Sequence, residues 1–137
     1  MIVDTSALIA FFNRSEPDHA AVTAVLTTTA EPLVLSPYVV AEVDYLVATR
    51  LGVEAELAVL RELAGGAWEL ASFGPDDLRA ATGIVDRYAD QSIGVADASN
   101  VVLAARYRTR AIVTLDRRHF EVLRPATGGR FTILPEG

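Results

Sequence analysis

Two apolar stretches of this 137-residue sequence each lead directly into an aspartate: Ile2 and Val3 precede Asp4, and residues 111–115 precede Asp116. Both stretches carry β-branched residues and have the length of short buried strands. A carboxylate that follows a buried strand is costly unless a partner offsets its charge. In α/β folds the ligands bind at the carboxyl ends of the strands. We therefore expect Asp4 and Asp116 to lie together at a ligand-binding edge of a sheet.

Strand-like and helix-like segments alternate along the chain. The predicted strands are residues 2–3, 33–35, 68–71, 111–115 and 131–134, and the predicted helices are residues 7–12, 17–28, 37–50, 53–63, 75–88 and 97–108. This alternation predicts an α/β fold, with a mainly parallel sheet between two helical layers in a three-layer α/β/α arrangement. No repeat, linker or low-complexity tract interrupts the pattern, so we expect a single domain over residues 1–137.

Two further acids are predicted to reach the same edge. On the helix over residues 37–50, Glu42 lies about 40° beyond the core-facing Leu46, at 100° per residue, so Glu42 borders a cleft beside the sheet. Asp44 lies about 160° from Glu42 by the same count and is predicted to be a solvated surface acid. Asp97 opens the helix over residues 97–108 and shares a face with Asn100 one turn later.

Four clustered carboxylates indicate a bound divalent cation, because like charges in a fold repel one another and raise one another's pKa. The chain has no cysteine and two histidines, which excludes zinc-thiolate and polyhistidine sites. Neither His19 nor His119 has a ligand pattern around it, and both are predicted to be structural or surface residues. The predicted metal ligands are Asp4, Glu42, Asp97 and Asp116.

All twelve basic residues are arginines, and the absence of lysine excludes several phosphate chemistries. A Walker-type phosphate loop, a Schiff-base enzyme and an Asp-plus-Lys phosphatase site each require a lysine. Without cysteine, a His pair or a Ser-His arrangement, covalent and histidine-based hydrolytic mechanisms also lack candidates.

The net charge of −6 is unevenly distributed. Residues 1–105 carry five arginines against fifteen acids, whereas residues 106–130 carry seven arginines against two acids. Basic residues bind the phosphates of nucleic acids. We predict a phosphate-binding rim that flanks Asp116 and consists of Arg106, Arg108, Arg110, Arg117 and Arg118.

No apolar run approaches the roughly 18 residues of a membrane span, and no basic residue precedes the first apolar stretch, as one would in a secretory signal. We expect no membrane association and a cytoplasmic location.

The placed motifs resemble those of PIN-domain ribonucleases, and specifically VapC-type toxins of bacterial type II toxin-antitoxin pairs. The resemblance rests on four segments in order along nearly the whole chain: MIVDTSALIAFF with Asp4 and Ser6, SPYVVAEVDYLV with Glu42, VADASNVVLAARY with Asp97, and AIVTLDRRHF with Thr114 and Asp116.

The resemblance implies an endoribonuclease that depends on Mg²⁺ or Mn²⁺, with Asp4, Glu42, Asp97 and Asp116 as the acids that hold the metal. It also implies supporting roles for the hydroxyls of Ser6 and Thr114. Some relatives have a further acid after the position of Asp97, where Asn100 is the nearest polar candidate here.

The implied partners are RNA, a homodimeric second copy and a cognate VapB-type antitoxin. Family members cut tRNA anticodon loops or the sarcin-ricin loop of 23S rRNA. The apolar helical segments 7–12 and 39–47 are predicted to form a groove for an amphipathic antitoxin helix.

Three other functions remain open at this point. The chain could be a catalytically silent PIN-like binding module, although it keeps all four acids. It could be a small metal-dependent phosphatase with Asp4 as nucleophile, although a serine occupies position 6 where such enzymes carry a second aspartate. It could also cut DNA, since nothing in the sequence identifies a group that reads the 2′-hydroxyl.

Overall fold

Five short parallel strands form the central sheet, in a computed structural model that describes residues 1–137. The strands are β1 (Ile2–Val3), β2 (Val34–Leu35), β3 (Glu69–Leu70), β4 (Ala111–Val113) and β5 (Thr132–Leu134), in the spatial order β3-β2-β1-β4-β5. Central β1 pairs on both sides, with Ile2 opposite Val34 and Ile112. The order changes direction at β1, where α/β folds open a crevice at the carboxyl ends of the strands.

Helices cover both faces of the sheet. They are α1 (Thr5–Phe12), α2 (His19–Thr28), α3 (Pro37–Leu51), α4 (Val53–Ala64), α5 (Pro75–Arg87), α6 (Val95–Arg106) and α7 (Arg117–Val122), and a 3₁₀ turn occupies Ala89–Gln91. None of these helices combines the length and apolarity that crossing a membrane requires.

The sheet separates two hydrophobic cores because successive strand residues face opposite sides. Val3 and Val113 pack in the core beneath α1 to α4, whereas their neighbours Ile2 and Ile112 pack in the core beneath α5 to α7. All four of these residues are fully buried. The predicted three-layer α/β/α class with a parallel sheet is thus confirmed.

Local signals fix the ends of α3, the helix that carries Glu42. Ser36 caps it by accepting a hydrogen bond of 3.1 Å from the backbone N–H of Tyr38, and Pro37 occupies the first helical position. Gly52 ends it at φ 91°, a left-handed conformation that glycine adopts without strain.

Two elements were not predicted, and several predicted bounds shift by a few residues. Helix α7 and the 3₁₀ turn are too short to show a hydrophobic period. Helix α6 begins at Val95 and ends at Arg106, rather than spanning 97–108, because Arg108 leaves the helical region at φ 53°.

Candidate active site

All four predicted acids face one open cleft of about 670 Å³ at the carboxyl ends of β1 and β4. Asp4 directly follows β1 and precedes α1, and Asp116 lies three residues after β4 and precedes α7. Glu42 comes from α3 and Asp97 from the first turn of α6. The fold therefore gathers acids that are far apart in the sequence, as the strand-end argument predicts.

Asp4 is the most deeply placed of the four, with 5% of its surface exposed. Its Oδ1 accepts a hydrogen bond of 3.1 Å from Asn100 Nδ2, and its Oδ2 accepts one of 2.8 Å from the Thr114 hydroxyl. Burial raises the pKa of Asp4, the Thr114 hydrogen bond opposes that rise, and the charges of Glu42 and Asp116 add to it. The position of Asp4 is fixed, and its negative charge is disfavoured without a cation.

Ser6 and Thr114 form a hydroxyl chain beside Asp4. The Thr114 hydroxyl accepts a hydrogen bond of 3.0 Å from the backbone N–H of Asp116 and lies 3.2 Å from Ser6 Oγ. Its single proton is donated to Asp4, so Ser6 must be the donor in the contact between the two hydroxyls. Ser6 Oγ in turn accepts from the backbone N–H of Leu115 at 2.9 Å. The chain ties the start of α1 to the segment that carries Asp116.

Two fully buried polar residues of α6 connect Asp97 to the rest of the site. Asn100 donates to Asp4, while its Oδ1 has no hydrogen-bond partner. Ser99 Oγ lies 2.6 Å from Ser36 Oγ and donates to the backbone oxygen of Ala96. Because Ser36 caps α3, this contact joins the amino-terminal ends of α3 and α6, the helices that carry Glu42 and Asp97.

The pKa of Asp97 is raised to about 6. Burial is the largest cause, and the negative charge of Asp4 is the next, while the nearby His119 lowers it. Asp116 and Glu42 also raise the pKa of Asp97, so all four carboxylates interact electrostatically across the cleft.

Sequence analysis found no ligand pattern around His119, but the structure places this residue beside two of the predicted acids. Its Nδ1 lies 2.8 Å from Asp116 Oδ2 and 3.2 Å from Asp97 Oδ2, although neither contact has good hydrogen-bond geometry. The ring therefore stands between two of the predicted metal ligands. The spacing of Asp116 and His119, three residues apart at a helix start, is the sequence signal for this contact. His19, by contrast, contacts the backbone oxygen of Ala10 at 2.8 Å and links α1 to α2, as a structural residue does.

The oxygen ligands of the cleft suit a hard divalent cation, although the carboxylates are not already arranged around one ion position. No group of three His, Asp or Glu side chains converges closely enough to hold an ion without rearrangement. Mg²⁺ commonly keeps several water ligands and uses one or two carboxylates directly, so a cleft open to water suits it. The oxygen donors here are Asp4, Glu42, Asp97 and Asp116, with the unpartnered Asn100 Oδ1 beside them.

The predicted arginine rim is mostly wrong. Arg106 lies at the opposite end of α6 from Asp97 and binds Asp77 of α5 and the backbone oxygen of Ser72. Arg108 and Arg110 line a separate cavity of about 170 Å³. These three arginines precede β4, whereas the cleft lies at the carboxyl end of that strand. Their closeness to Asp116 in the sequence therefore does not bring them close to it in the fold.

The two remaining predicted arginines, Arg117 and Arg118, begin α7 directly after Asp116, but neither lines the cleft. Arg117 donates to the backbone oxygen of Pro135 and pairs with Glu121 at 3.7 Å. Arg118 is exposed and has no carboxylate partner. Sequence reasoning missed Arg50 of α3, which does line the cleft.

Asp44 is on the flank away from the cleft, as predicted, but it is half-buried rather than fully solvated. It faces α4, where a contact with Asp44 raises the pKa of Glu56. Asp44 therefore has no place in the acidic site.

An apolar groove of about 360 Å³ adjoins the cleft between α1, α3 and α4. Phe12, Val47 and Val59 contribute to its apolar lining. Four residues line both the groove and the acidic cleft: Ile9, Glu16, Leu46 and Arg50. We call these four residues the shared wall.

Comparison with known proteins identifies similar chains. The profile of the PIN domain matches residues 1–124. Ribonuclease VapC26 of Mycobacterium tuberculosis (strain ATCC 25618 / H37Rv) is 67% identical over 135 residues, which cover 98% of this chain and all of that protein.

Two solved structures share the fold. The sarcin-ricin-loop-cleaving toxin VapC20 of Mycobacterium tuberculosis superposes with a TM-score of 0.75 at 18% identity, covering 81% of this chain and 85% of that one. FitAcB from Neisseria gonorrhoeae gives a TM-score of 0.58 at 20% identity, covering 82% and 85% of the two chains. At these identities the structures support the fold alone.

Proposed function

Since this chain belongs to the PIN-domain family and to its VapC branch, we propose that it is an endoribonuclease toxin that uses Mg²⁺ or Mn²⁺ to hydrolyse phosphodiester bonds in RNA. The observation that carries the proposal is the cleft in which Asp4, Glu42, Asp97 and Asp116 interact electrostatically. The ribonuclease name of the relative with 67% identity supports the choice of reaction.

The four acids hold the metal in this proposal. A divalent cation supplies Lewis-acid polarisation of the phosphate and lowers the pKa of bound water. Asp4 and Asp97 have the strongest need for a positive partner, because their burial opposes ionisation. Thr114 and Asn100 hold both oxygens of Asp4 in place, so that its carboxylate does not rotate freely when RNA binds.

The surrounding side chains favour attack by water over a covalent intermediate. The Ser6 hydroxyl already donates to Thr114 and accepts from the backbone of Leu115, and no histidine lies beside it as a base. Both oxygens of Asp4 are engaged in hydrogen bonds, and the residue is buried. Asp4 is thus a poor nucleophile, which argues against the phosphatase alternative.

A cleavage assay tests the proposal. The purified chain should cut RNA with Mg²⁺ or Mn²⁺ and stop with chelator, and folded Asp97→Asn should be inactive because it lacks one metal-ligand charge. Cleavage that persists with chelator or in Asp97→Asn would refute it. No cleavage of cellular RNA by wild type under any metal condition would favour the silent binding module, and equal cleavage of DNA would widen the substrate class.

The substrate class is a single-stranded loop of tRNA or 23S rRNA. Sequence-specific recognition of RNA generally targets such loops, where unstacked bases are accessible. Mapping the 5′ ends of cellular RNA after expression of the chain identifies the bond. Fragments that begin in neither tRNA nor 23S rRNA would exclude both classes.

The proposed protein partner is a VapB-type antitoxin whose amphipathic helix occupies the apolar groove. The groove supports this because its lining is mainly apolar and continues through the shared wall into the acidic cleft. A basic antitoxin residue at the end of such a helix would meet the carboxylates. Co-expression with the adjacent small gene should yield a complex that copurifies and relieves growth arrest.

We also propose that the chain forms a homodimer in the cytoplasm. Four large apolar side chains of α3 and α4 are exposed: Tyr45, Leu51, Val53 and Leu57. Exposed apolar side chains on one pair of helices are typical of an interface. The molar mass from light scattering should be twice that of the chain, and a monomer at micromolar concentration would contradict this.

A further inference from the structure

One edge of α3 lines the acidic cleft. Glu42, Leu46 and Arg50 follow one another at four-residue spacing, and all three line the cleft. Residues four apart lie on one helical face, with roughly 1.5 Å of rise per residue. Arg50 thus stands about 12 Å along the helix axis from Glu42.

Arg50 is the one basic residue among those that line the cleft. Its side chain is exposed, and it takes part in none of the salt bridges or side-chain hydrogen bonds of the chain. A positive charge in the last turn of a helix interacts favourably with the helix dipole, which accounts for an arginine at position 50. It does not account for the place of this side chain in the lining of the cleft. Arg61 occupies the equivalent turn of α4 and lines neither the cleft nor the groove.

An acidic cleft repels RNA, so a nuclease of this charge needs cations beside its carboxylates. Arg106, Arg108 and Arg110 lie elsewhere, and Arg117 is engaged with Pro135 and Glu121. Arg118 is exposed but does not line the cleft. Arg50 is free to meet this need. Its guanidinium matches the geometry of a phosphate, which it can bind through two parallel hydrogen bonds.

We propose that Arg50 binds a phosphate of the RNA strand that flanks the one that reacts, and thereby positions the strand across the cleft. The rise of roughly 12 Å along α3 separates Arg50 from Glu42, so the phosphate that Arg50 binds is a flanking one. This inference rests on the proposed ribonuclease function, and it makes Arg50 a substrate-binding residue rather than a participant in the chemistry.

The test compares Arg50→Gln and Arg50→Lys with the control Arg61→Gln. The substrates are a short fluorescein-labelled single-stranded RNA for binding and the RNA fragment found by 5′-end mapping for kinetics. Arg50→Gln should raise KM and Kd about tenfold, leave kcat within about threefold, and lower the salt slope of log Kd by about 0.7, since one contact with single-stranded RNA is lost. Arg50→Lys should keep the salt slope, because it keeps the charge. Arg61→Gln should behave as wild type.

An unchanged KM and salt slope in folded Arg50→Gln, beside an active wild type, would overturn the inference. So would a loss confined to kcat. A loss of antitoxin affinity without loss of RNA affinity would overturn it too and assign Arg50 to the groove alone. If wild type neither binds nor cuts RNA, the proposed function itself has failed. The melting temperature of each variant shows whether it is folded, and Arg50→Ala, which removes the same phosphate contact, replaces Arg50→Gln if that variant is not.

Discussion

The carboxylate of Asp4 is held by residues about 100 positions away, Asn100 and Thr114. Asp4→Asn and Asp97→Asn should each lower RNA cleavage more than 10²-fold, because each removes a ligand charge at nearly constant volume. The check is RNA cleavage with Mg²⁺ or Mn²⁺ on folded variants. Asp44→Asn is the control and should keep most of the activity, because Asp44 faces α4.

His119 should matter for metal binding as well as for the fold. It contacts both Asp97 and Asp116, and residues that orient metal ligands commonly contribute 10- to 100-fold to affinity. His119→Ala should weaken Mn²⁺ binding by a factor in that range, measured by calorimetry on the protein without RNA. His19→Ala, which lacks such contacts, should bind Mn²⁺ as wild type does. Equal Mn²⁺ affinity in His119→Ala and wild type would show that the contacts of His119 with Asp97 and Asp116 serve the fold alone.

At the residue scale the sequence predicted which acids share the cleft but not what holds them. Asp4 and Asp116 follow apolar strands, which is a local pattern. The hydrogen bonds to Asn100 and Thr114 and the position of His119 depend on how α6, β4 and α7 pack, which no local pattern encodes. The free Arg50 was missed because its spacing from Glu42 gains meaning only when α3 lies along the cleft.

At the scale of elements, the contact between Ser36 and Ser99 joins α3 to α6. Both side chains are fully buried, so the loss of one leaves the other with an unmet hydrogen bond. Ser99→Ala should lower the free energy of unfolding by about 1–3 kcal/mol, measured by urea denaturation. Ser15→Ala, at an exposed site, is the control and should change stability little. Unchanged stability in Ser99→Ala would show that this hydroxyl pair does not hold the helices together.

Because the groove between α1, α3 and α4 has lining residues that the cleft lacks, a mutation in the groove should impair antitoxin binding without impairing RNA cleavage. Ala58 is exposed and lines the groove without touching the cleft. Ala58→Arg should abolish antitoxin binding while RNA cleavage stays within about twofold of wild type, because a long charged side chain fills an apolar site. Titration calorimetry and the cleavage assay measure the two effects. The exposed Ala24→Arg on α2, outside the groove, should change neither.

Element types were predictable to a greater extent than element ends. The Ser36-Pro37 signal placed the start of α3 correctly, and its predicted end at residue 50 is one residue short. Helix α7, six residues long, gave no periodic signal, and its omission placed Arg117 and His119 in an unstructured segment. The arginines before β4 were grouped with Asp116 because they are close to it in the sequence. Residues that precede a strand and residues that follow it lie at opposite ends of that strand, so these arginines are far from the cleft.

For the whole molecule, the raised pKa of Asp97 couples stability to pH and metal. Between the unfolded value near 4 and the folded value of about 6, the folded state binds more protons than the unfolded state, so the free energy of unfolding of the metal-free protein should fall as pH rises through that window. Metal binds the deprotonated folded site and should therefore raise the melting temperature more at pH 7.5 than at pH 5.

Thermal scans of wild type and Asp97→Asn, each with Mn²⁺ and with chelator at both pH values, test this coupling. Asp97→Asn should lose most of the metal-induced shift and part of the pH dependence of the metal-free protein. Equal metal shifts at the two pH values in wild type would show that the four acids do not act as one metal site.

The shared wall of Ile9, Glu16, Leu46 and Arg50 borders the groove and the cleft at once. If the antitoxin binds in the groove and RNA binds in the cleft, both ligands contact the same four side chains. A mutation at one of these positions that weakens antitoxin binding then also changes the affinity for RNA. Natural selection then cannot adjust toxicity and restraint separately at these positions, and the two properties are inherited together.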